Sequence, residues 1–262
     1  MSSQRCIAVK IRFLGAAYHG FQRQQNAVTV QQTIEEALFK ILGEKTVIYG
    51  CSRTDTGVSA AEYVFHFHTT HSITPYKLCG ALNHFLPPDI GVLSAVQAPA
   101  DFHARYSTCG KRYDYYLRNA RGRDPFTEGR EYRYIVSTPD ADFLNEQAQA
   151  FCGRHDFSAF CSAHDGAENH VRTVHSAGVQ RQDSQLRFWF TADGFLYNMV
   201  RIMVGTLLWI SEGKLPPGCI PDILESRDRG RAGMTAPACG LFLSRVFYEE
   251  DPFLQEKEEY HG

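Results

Sequence analysis

No two cysteines stand in C-x-x-C spacing, although eight occur, at positions 6, 51, 79, 109, 152, 161, 219 and 239. The chain therefore lacks the usual pattern of a cysteine zinc site or a disulfide framework, and a reducing, cytoplasmic setting is expected. Long apolar runs are missing as well. The longest, Phe195 to Ile210, is broken by Asn198, Arg201, Gly205 and Thr206, and the first dozen residues hold at most four apolar residues in succession. Neither a membrane span nor an export signal is expected. There is no G-x-x-x-x-G-K phosphate loop and no low-complexity segment. Nor does charge of one sign dominate: the net charge is −2 over 262 residues.

What is present is unevenly spread. Residues 249–262 hold six acids against one lysine, a local −5, which leaves +3 for residues 1–248. This acidic tail is expected to be disordered. Arg105 to Arg133 carries eight Lys/Arg against four Asp/Glu, interleaved with Tyr106, Tyr113, Tyr115, Tyr116, Phe126 and Tyr132. Cations for phosphate beside aromatic faces for bases fit a nucleic-acid partner; a charged strand pair with core aromatics has the same composition. With 44% hydrophobic residues the chain can bury a full core.

Periodicity gives the organisation. Ile7, Val9, Ile11 and Phe13 alternate with Cys6, Ala8, Lys10 and Arg12, as in a half-buried strand. Thr29 and Gln32 resemble a capping box, Val30, Ile34, Leu38, Ile41 and Leu42 keep helical spacing, and Gly43 supplies the stop, which predicts a helix over 30–42. A short strand at 46–49 follows, then a strand through Tyr63, Phe65 and Phe67, a helix opening at Pro75 and ending near Pro87, and a strand over 90–96. Strand, helix, strand, strand, helix, strand is the split β-α-β, ferredoxin-like order. The second half repeats it, with strands at 112–118, 171–180, 185–192 and 241–248 and helices at 140–152, 195–211 and 219–228, Gly153 closing the first of these. The expected fold is α+β: two ferredoxin-like halves, 1–105 and 106–248, whose antiparallel sheets join into a larger sheet with helices on one face, leaving an open face that suits a bulky ligand.

Between two strands of the first half lies "CSRTDTGVS", residues 51–59. Asp followed two residues later by Gly is ordinary turn chemistry. A D-T-G triplet also occurs in aspartic proteases, but here it occurs once, and Arg53 beside it opposes the proton sharing of a carboxylate dyad by favouring ionisation. A third reading is a lone nucleophilic or general-base carboxylate at Asp55. His66 and His68 share a strand face at metal-compatible spacing without a third ligand nearby, so they read as a surface pair, and His155, His164 and His170 are scattered; no metal site is expected.

Seven blocks now fall in order: "GAAYHGFQRQ" (15–24), "TVQQTIEEALFKILGE" (29–44), "SRTDTGVSA" (52–60), "DFHARYSTCGKRYDYYLRN" (101–119), "GRHDFSAF" (153–160), "GFLYNMVRIMVGTL" (194–207) and "ACGLFLSRVFY" (238–248). Together they resemble the tRNA pseudouridine synthase A (TruA) family over nearly the whole chain. The resemblance implies an isomerase that converts uridine to pseudouridine in the anticodon arm of tRNA, works as a homodimer and needs no metal or nucleotide cofactor, and it implies that the open face of the sheet is an RNA-binding cleft. It puts Asp55 at the catalytic carboxylate, Arg201 at the basic residue paired with it, Tyr113 against the target base and Arg53 in the space left by the flipped nucleotide. Arg105, in the H-A-R loop, is expected to contact RNA backbone.

Each residue has a plainer reading. Arg201, in an apolar helix, could serve a structural ion pair or snorkel to the surface. Tyr113 could be a core strand tyrosine, Arg53 a solvated side chain, and Arg105 part of a structural turn. A catalytically idle RNA-binding protein on the same fold is the competing function, since it keeps the basic-aromatic face without needing Asp55. The chain departs from the family's usual loop at Ser52, Thr56 and Ser59, which stand where Gly, Ala and His are common, and at Phe13 and Leu14, where an aromatic-acid pair is common.

Overall fold

The structure, a computed structural model, describes residues 4–163 and 166–254; His164 and residues 255–262 of the acidic tail lie outside the described residues. In chain order the elements are β1 (Arg5–Phe13), α1 (Val30–Leu42), β2 (Tyr49–Gly50), β3 (Ser59–Thr69), α2 (Pro75–Phe85), β4 (Ile90–Ala98), β5 (Thr108–Arg118), β6 (Tyr132–Arg133), α3 (Ala141–Ala148), β7 (Gly153–Asp156), β8 (Val171–Gln182), β9 (Gln185–Ala192), α4 (Met199–Ser211), α5 (Ile220–Ser226) and β10 (Leu241–Tyr248). The fold is mixed α/β with mostly antiparallel strand pairing; β5 and β6 run parallel. Two compact units form, one up to Cys109 and again from Leu243, the other Gly110–Phe242. Strand β10 therefore changes unit two residues after it begins. Among the described residues no helix is long and apolar enough to cross a membrane.

In the first unit the strand order is β4-β1-β3-β10, with β2 also on β3. Ile7, Val9 and Ile11 of β1 stand opposite Phe67, Phe65 and Tyr63 of β3, and all six are buried. Helix α1 begins at Thr29, whose Oγ1 accepts the Gln32 N–H at 3.3 Å, but the capping box is only half made, because the Gln32 amide donates forward to Glu36 at 2.8 Å. Gly43, at φ 71°, ends the helix with its N–H on the Phe39 carbonyl. Helix α2 opens on Pro75 and stops where Leu86 turns extended before Pro87, as a residue preceding proline must.

Strand β1 departs from the expected half-burial. Cys6 and Ala8, on the face opposite Ile7 and Val9, are buried too, because the 99–107 segment covers them: Cys6 Sγ donates to the Phe102 carbonyl at 3.8 Å and Ala104 has no exposed surface. That face of the first unit is thus not open along its whole length. The beginning of the acidic tail packs against β1. Pro252 is buried and the Lys10 ammonium sits 4.5 Å from the Phe253 ring.

The second unit has the order β5-β9-β8-β7. Leu186, Phe188, Phe190 and Ala192 of β9 are buried and alternate with half-exposed Arg187, Trp189 and Thr191. On that second face the buried Asp114 carboxylate receives Arg112 Nη2 and Arg187 Nε, each at 3.1 Å, and both guanidiniums lie over Trp189. Arg118 pairs with Asp124 at 3.1 Å. Part of the cationic charge of 105–133 is therefore neutralised inside the fold rather than presented to an anion.

Three helix boundaries differ from expectation. The 140–152 helix ends at Ala148, a 3-10 turn follows, and Gly153, at φ 110°, opens β7 instead of capping a helix. Helix α4 starts at Met199 because Asn198 is left-handed at φ 61°, a conformation asparagine tolerates. Left-handed Arg227 closes α5 at Ser226. The short strand expected at 46–49 is Tyr49–Gly50.

Candidate active site

The Asp55 turn is clamped by the segment just after β1. Gly57, at φ 80°, lets the chain reverse so that the Val58 N–H reaches the Asp55 carbonyl at 3.1 Å. The Gly57 N–H then donates to the Tyr18 carbonyl at 3.2 Å and the Phe21 N–H to the Thr54 carbonyl at 3.4 Å. Two glycines allow this approach. A Cβ on Gly15 would stand 2.1 Å from the Val58 oxygen, and one on Gly20, itself at φ 81°, 2.3 Å from the Thr54 oxygen. The "GAAYHG" block exists to let two backbones touch.

Side chains complete the clamp. The Tyr63 ring stacks on Phe21 at 4.3 Å and its hydroxyl donates to the Ser52 carbonyl, while Tyr18 donates its hydroxyl to Asp89 Oδ1 at 2.7 Å. Burial, reinforced by that bond, raises the Tyr18 pKa far above its ordinary value, so it stays a donor at every working pH. Ser59, one of the departures from the family's loop, is fully buried and accepts the Gly15 N–H at 2.9 Å. It anchors the clamp; composition and spacing gave no sign of this, since a serine after G-V carries no periodic signal. Within the turn, Asp55 is half-buried and Arg53 exposed.

Arg105 is exposed and lies on the loop that covers β1 and β3. That loop is pinned by His66, whose Nδ1 accepts the Ala104 N–H at 3.1 Å. The expected surface pair is thus half wrong. His68 is exposed but His66 is buried, because both faces of β3 are covered at this point. Desolvation, then the neighbouring His103 and His68, lowers the His66 pKa to about 4, against a hydrogen bond to the Tyr49 backbone that opposes the shift. The folded protein therefore resists protonating His66, whereas the unfolded chain takes the proton near the ordinary value of 6.5. Stability from this group is complete above pH 6.5 and is lost as pH falls towards 4, by on the order of 3 kcal/mol. Denaturant titrations of wild type and His66→Asn between pH 7 and pH 4 should diverge in this sense, the variant keeping the flatter profile. Among the described residues no group of three or more His, Cys, Asp or Glu side chains is placed to hold a metal ion.

In the second unit, half-buried Arg201 projects from the mostly buried α4. Its Nε donates to the Ala236 carbonyl and its Nη1 to Asn198 Oδ1, both at 2.7 Å. The left-handed Asn198 is itself held by Ser162 Oγ at 2.9 Å. The 233–237 segment reaches Arg201 because Gly205 lets it in: a Cβ there would fall 1.8 Å from the Met234 oxygen. Thr206 Oγ1 accepts the Gly233 N–H at 2.8 Å, and the Tyr115 hydroxyl donates to the Pro237 carbonyl at 2.9 Å. These bonds give the guanidinium a fixed direction. Tyr113, on the same buried face of β5 as Tyr115 and Leu117, is 6% exposed and packs edge-on against Phe195 at 5.1 Å. Asp55, Arg53 and Arg105 thus belong to the first unit, Tyr113 and Arg201 to the second.

The family model described as tRNA pseudouridine synthase matches residues 9–107 and 147–249. A protein of Acetivibrio thermocellus named tRNA pseudouridine synthase A is 43% identical, over 93% of this chain and 100% of its own length. Proteins of the same name from Clostridium acetobutylicum and Staphylococcus aureus are 39% identical (92% of this chain, 99% of theirs) and 40% identical (95% and 93%).

Proposed function

The chain belongs to the tRNA pseudouridine synthase A family, whose members isomerise uridine in tRNA, and from that premise we propose that Asp55 is the catalytic carboxylate and the anticodon arm the target. The reaction breaks the bond from uracil N1 to ribose C1′ and forms one from C5 to C1′, while C5 loses a proton and N1 gains one. Atoms balance within the substrate, so no water, metal or nucleotide is consumed. One carboxylate suffices, either by attack on the nucleoside or by stabilising and deprotonating the sugar as the bond breaks.

The observation that carries this reading is the clamp on the 51–59 turn. Gly15, Gly20, Ser59 and Tyr63 together hold a half-buried Asp55 in a rigid loop, as a group that must meet a reacting atom requires. An ordinary solvated turn needs no such support. Arg201, aimed by Ala236 and Asn198, is the proposed counter-charge that keeps the Asp55 carboxylate ionised in a water-poor site. Tyr113 is proposed to meet the target base, Arg53 to fill the space of the flipped nucleotide and Arg105 to bind backbone. Stacking worth about 1–3 kcal/mol offsets much of the few kcal/mol that flipping costs.

Two ferredoxin-like halves, divided near residue 105 and sharing a larger sheet, a homodimeric assembly and a cytoplasmic location belong to the same proposal. The antiparallel β4-β1-β3 order with β2 beside β3 supports the first half of it.

Incubating wild type with unmodified tRNA, without metal or cofactor, should yield pseudouridine that maps to the anticodon arm. Binding without modification would instead establish the idle RNA-binding protein. Modification confined to another arm would keep the enzyme and sink the assignment of its target.

A further inference from the structure

The 99–107 loop does more than cover the sheet. Its centre is immobilised from three sides: Cys6 Sγ on the Phe102 carbonyl, His66 Nδ1 on the Ala104 N–H, and the Tyr248 hydroxyl on the Ala104 carbonyl at 2.8 Å. The residues beyond are then tied to one another. His103 Nδ1 accepts the N–H groups of Arg105 (3.1 Å) and Tyr106 (3.3 Å), Ser107 Oγ accepts the His103 N–H at 3.0 Å, and Thr108 Oγ1 donates to the Arg105 carbonyl at 2.8 Å. A loop with its polar backbone so fully used holds its side chains in set directions.

What it presents is a row of rings. Tyr49 stacks on His66 at 5.2 Å and 26°, the His66 and His103 rings are 4.7 Å apart, and His103 lies 4.3 Å from Tyr106 at 34°. The row runs from a buried imidazole to a phenol ring that is 77% exposed. Tyr49, 47% exposed, flanks it, and the Arg105 guanidinium is 5.8 Å from the Tyr106 ring. An isolated exposed tyrosine needs no explanation, but one backed by a second ring, on an anchored loop and beside a cation, has the components of a base-stacking surface.

We propose that Tyr106, backed by His103 and flanked by Tyr49, is a stacking platform for an unpaired nucleobase of the tRNA, with Arg105 on the adjoining phosphate. The proposal rests on the RNA-modifying reading above and adds to it a second place where the substrate is gripped, apart from the reacting uridine. His66 acts beneath it as a positioning residue through the Ala104 N–H. The imidazoles work in their neutral forms, since Nδ1 of each is an acceptor. The groups facing them are His68 of β3, Tyr49 of β2 and Arg105 and Tyr106 of the loop; desolvation together with Arg105 and His68 also lowers the His103 pKa. Above neutrality the platform is therefore intact.

The test compares Tyr106→Ala and Tyr106→Phe for tRNA turnover and, separately, for equilibrium binding of unmodified tRNA in the Asp55→Asn background, where no product forms. Tyr106→Ala should raise KM and Kd by roughly 5- to 100-fold, the equivalent of about 1–3 kcal/mol, and leave kcat within about twofold. Tyr106→Phe, which keeps the ring, should behave as wild type. An unchanged Kd for Tyr106→Ala overturns the platform. So does a loss of affinity accompanied by a change in mass by light scattering, since the tyrosine would then serve a contact between copies of the chain. Because binding is read without chemistry, absence of pseudouridine from wild type would count against the catalytic reading alone, while failure to bind tRNA at all would overturn both.

Discussion

Asp55→Asn should abolish pseudouridine formation, with a fall on the order of 10⁴-fold or more, while tRNA affinity is kept or slightly raised. The size follows from the role: a group that attacks or takes the proton has no substitute in the site, and removal of such a group from other enzymes costs at least this much. The substitution preserves the size of the side chain. Asparagine has the same shape and the same aptitude for turns, and the backbone bonds of the loop, Val58 N–H to Asp55 and Gly57 N–H to Tyr18, do not involve the carboxylate. Removing a negative charge near bound phosphate should favour binding, if anything. Single-turnover rates with labelled tRNA, set beside Kd from filter binding, separate the two effects. Appreciable turnover by the variant would remove Asp55 from the chemistry.

The second large effect is expected at Arg201. Arg201→Met keeps an unbranched side chain in α4 but deletes the charge, and turnover should drop by about 10²- to 10³-fold. That matches the roughly 3–5 kcal/mol lost when one partner of a buried pair is removed. Part of any loss is structural, because the Ala236 carbonyl and Asn198 Oδ1 each lose a donor, at about 1–3 kcal/mol per stranded group. Asn198→Ala supplies the control: it disturbs the anchoring of the guanidinium but keeps its charge. If Arg201 serves catalysis, Asn198→Ala should retain most activity at temperatures where all three proteins are folded, and Arg201→Lys should fall between wild type and Arg201→Met. Full activity in Arg201→Met would rule out the proposed pairing.

These expectations were legible in the sequence to different depths. Local chemistry made the elements readable: Thr29 and Gly43 delimit α1, Pro75 opens α2, and the alternation of β9 matches its buried and half-exposed faces. It misled where a distant contact changed what a residue faces. Cys6 and Ala8 looked like the solvent side of a strand until the 99–107 loop covered them, and His66 looked like half of a surface pair until the same loop buried it. Gly153 looked like a helix stop, yet it starts a strand, since a left-handed glycine suits either purpose.

By itself the sequence determined the order of the helices and of every strand except the short β6 and β7, the D-T-G turn and, through seven ordered blocks, the family. Those depend on neighbours along the chain and on motif identity. Only the tertiary structure decided why Gly15, Gly20 and Gly205 must be glycine, what Ser59 holds, where the Arg201 guanidinium points, and that Tyr106 stands on a row of rings. Each of these is a meeting of residues tens of positions apart, set by how backbones and side chains fit in space, and sequence spacing carries no record of such distances.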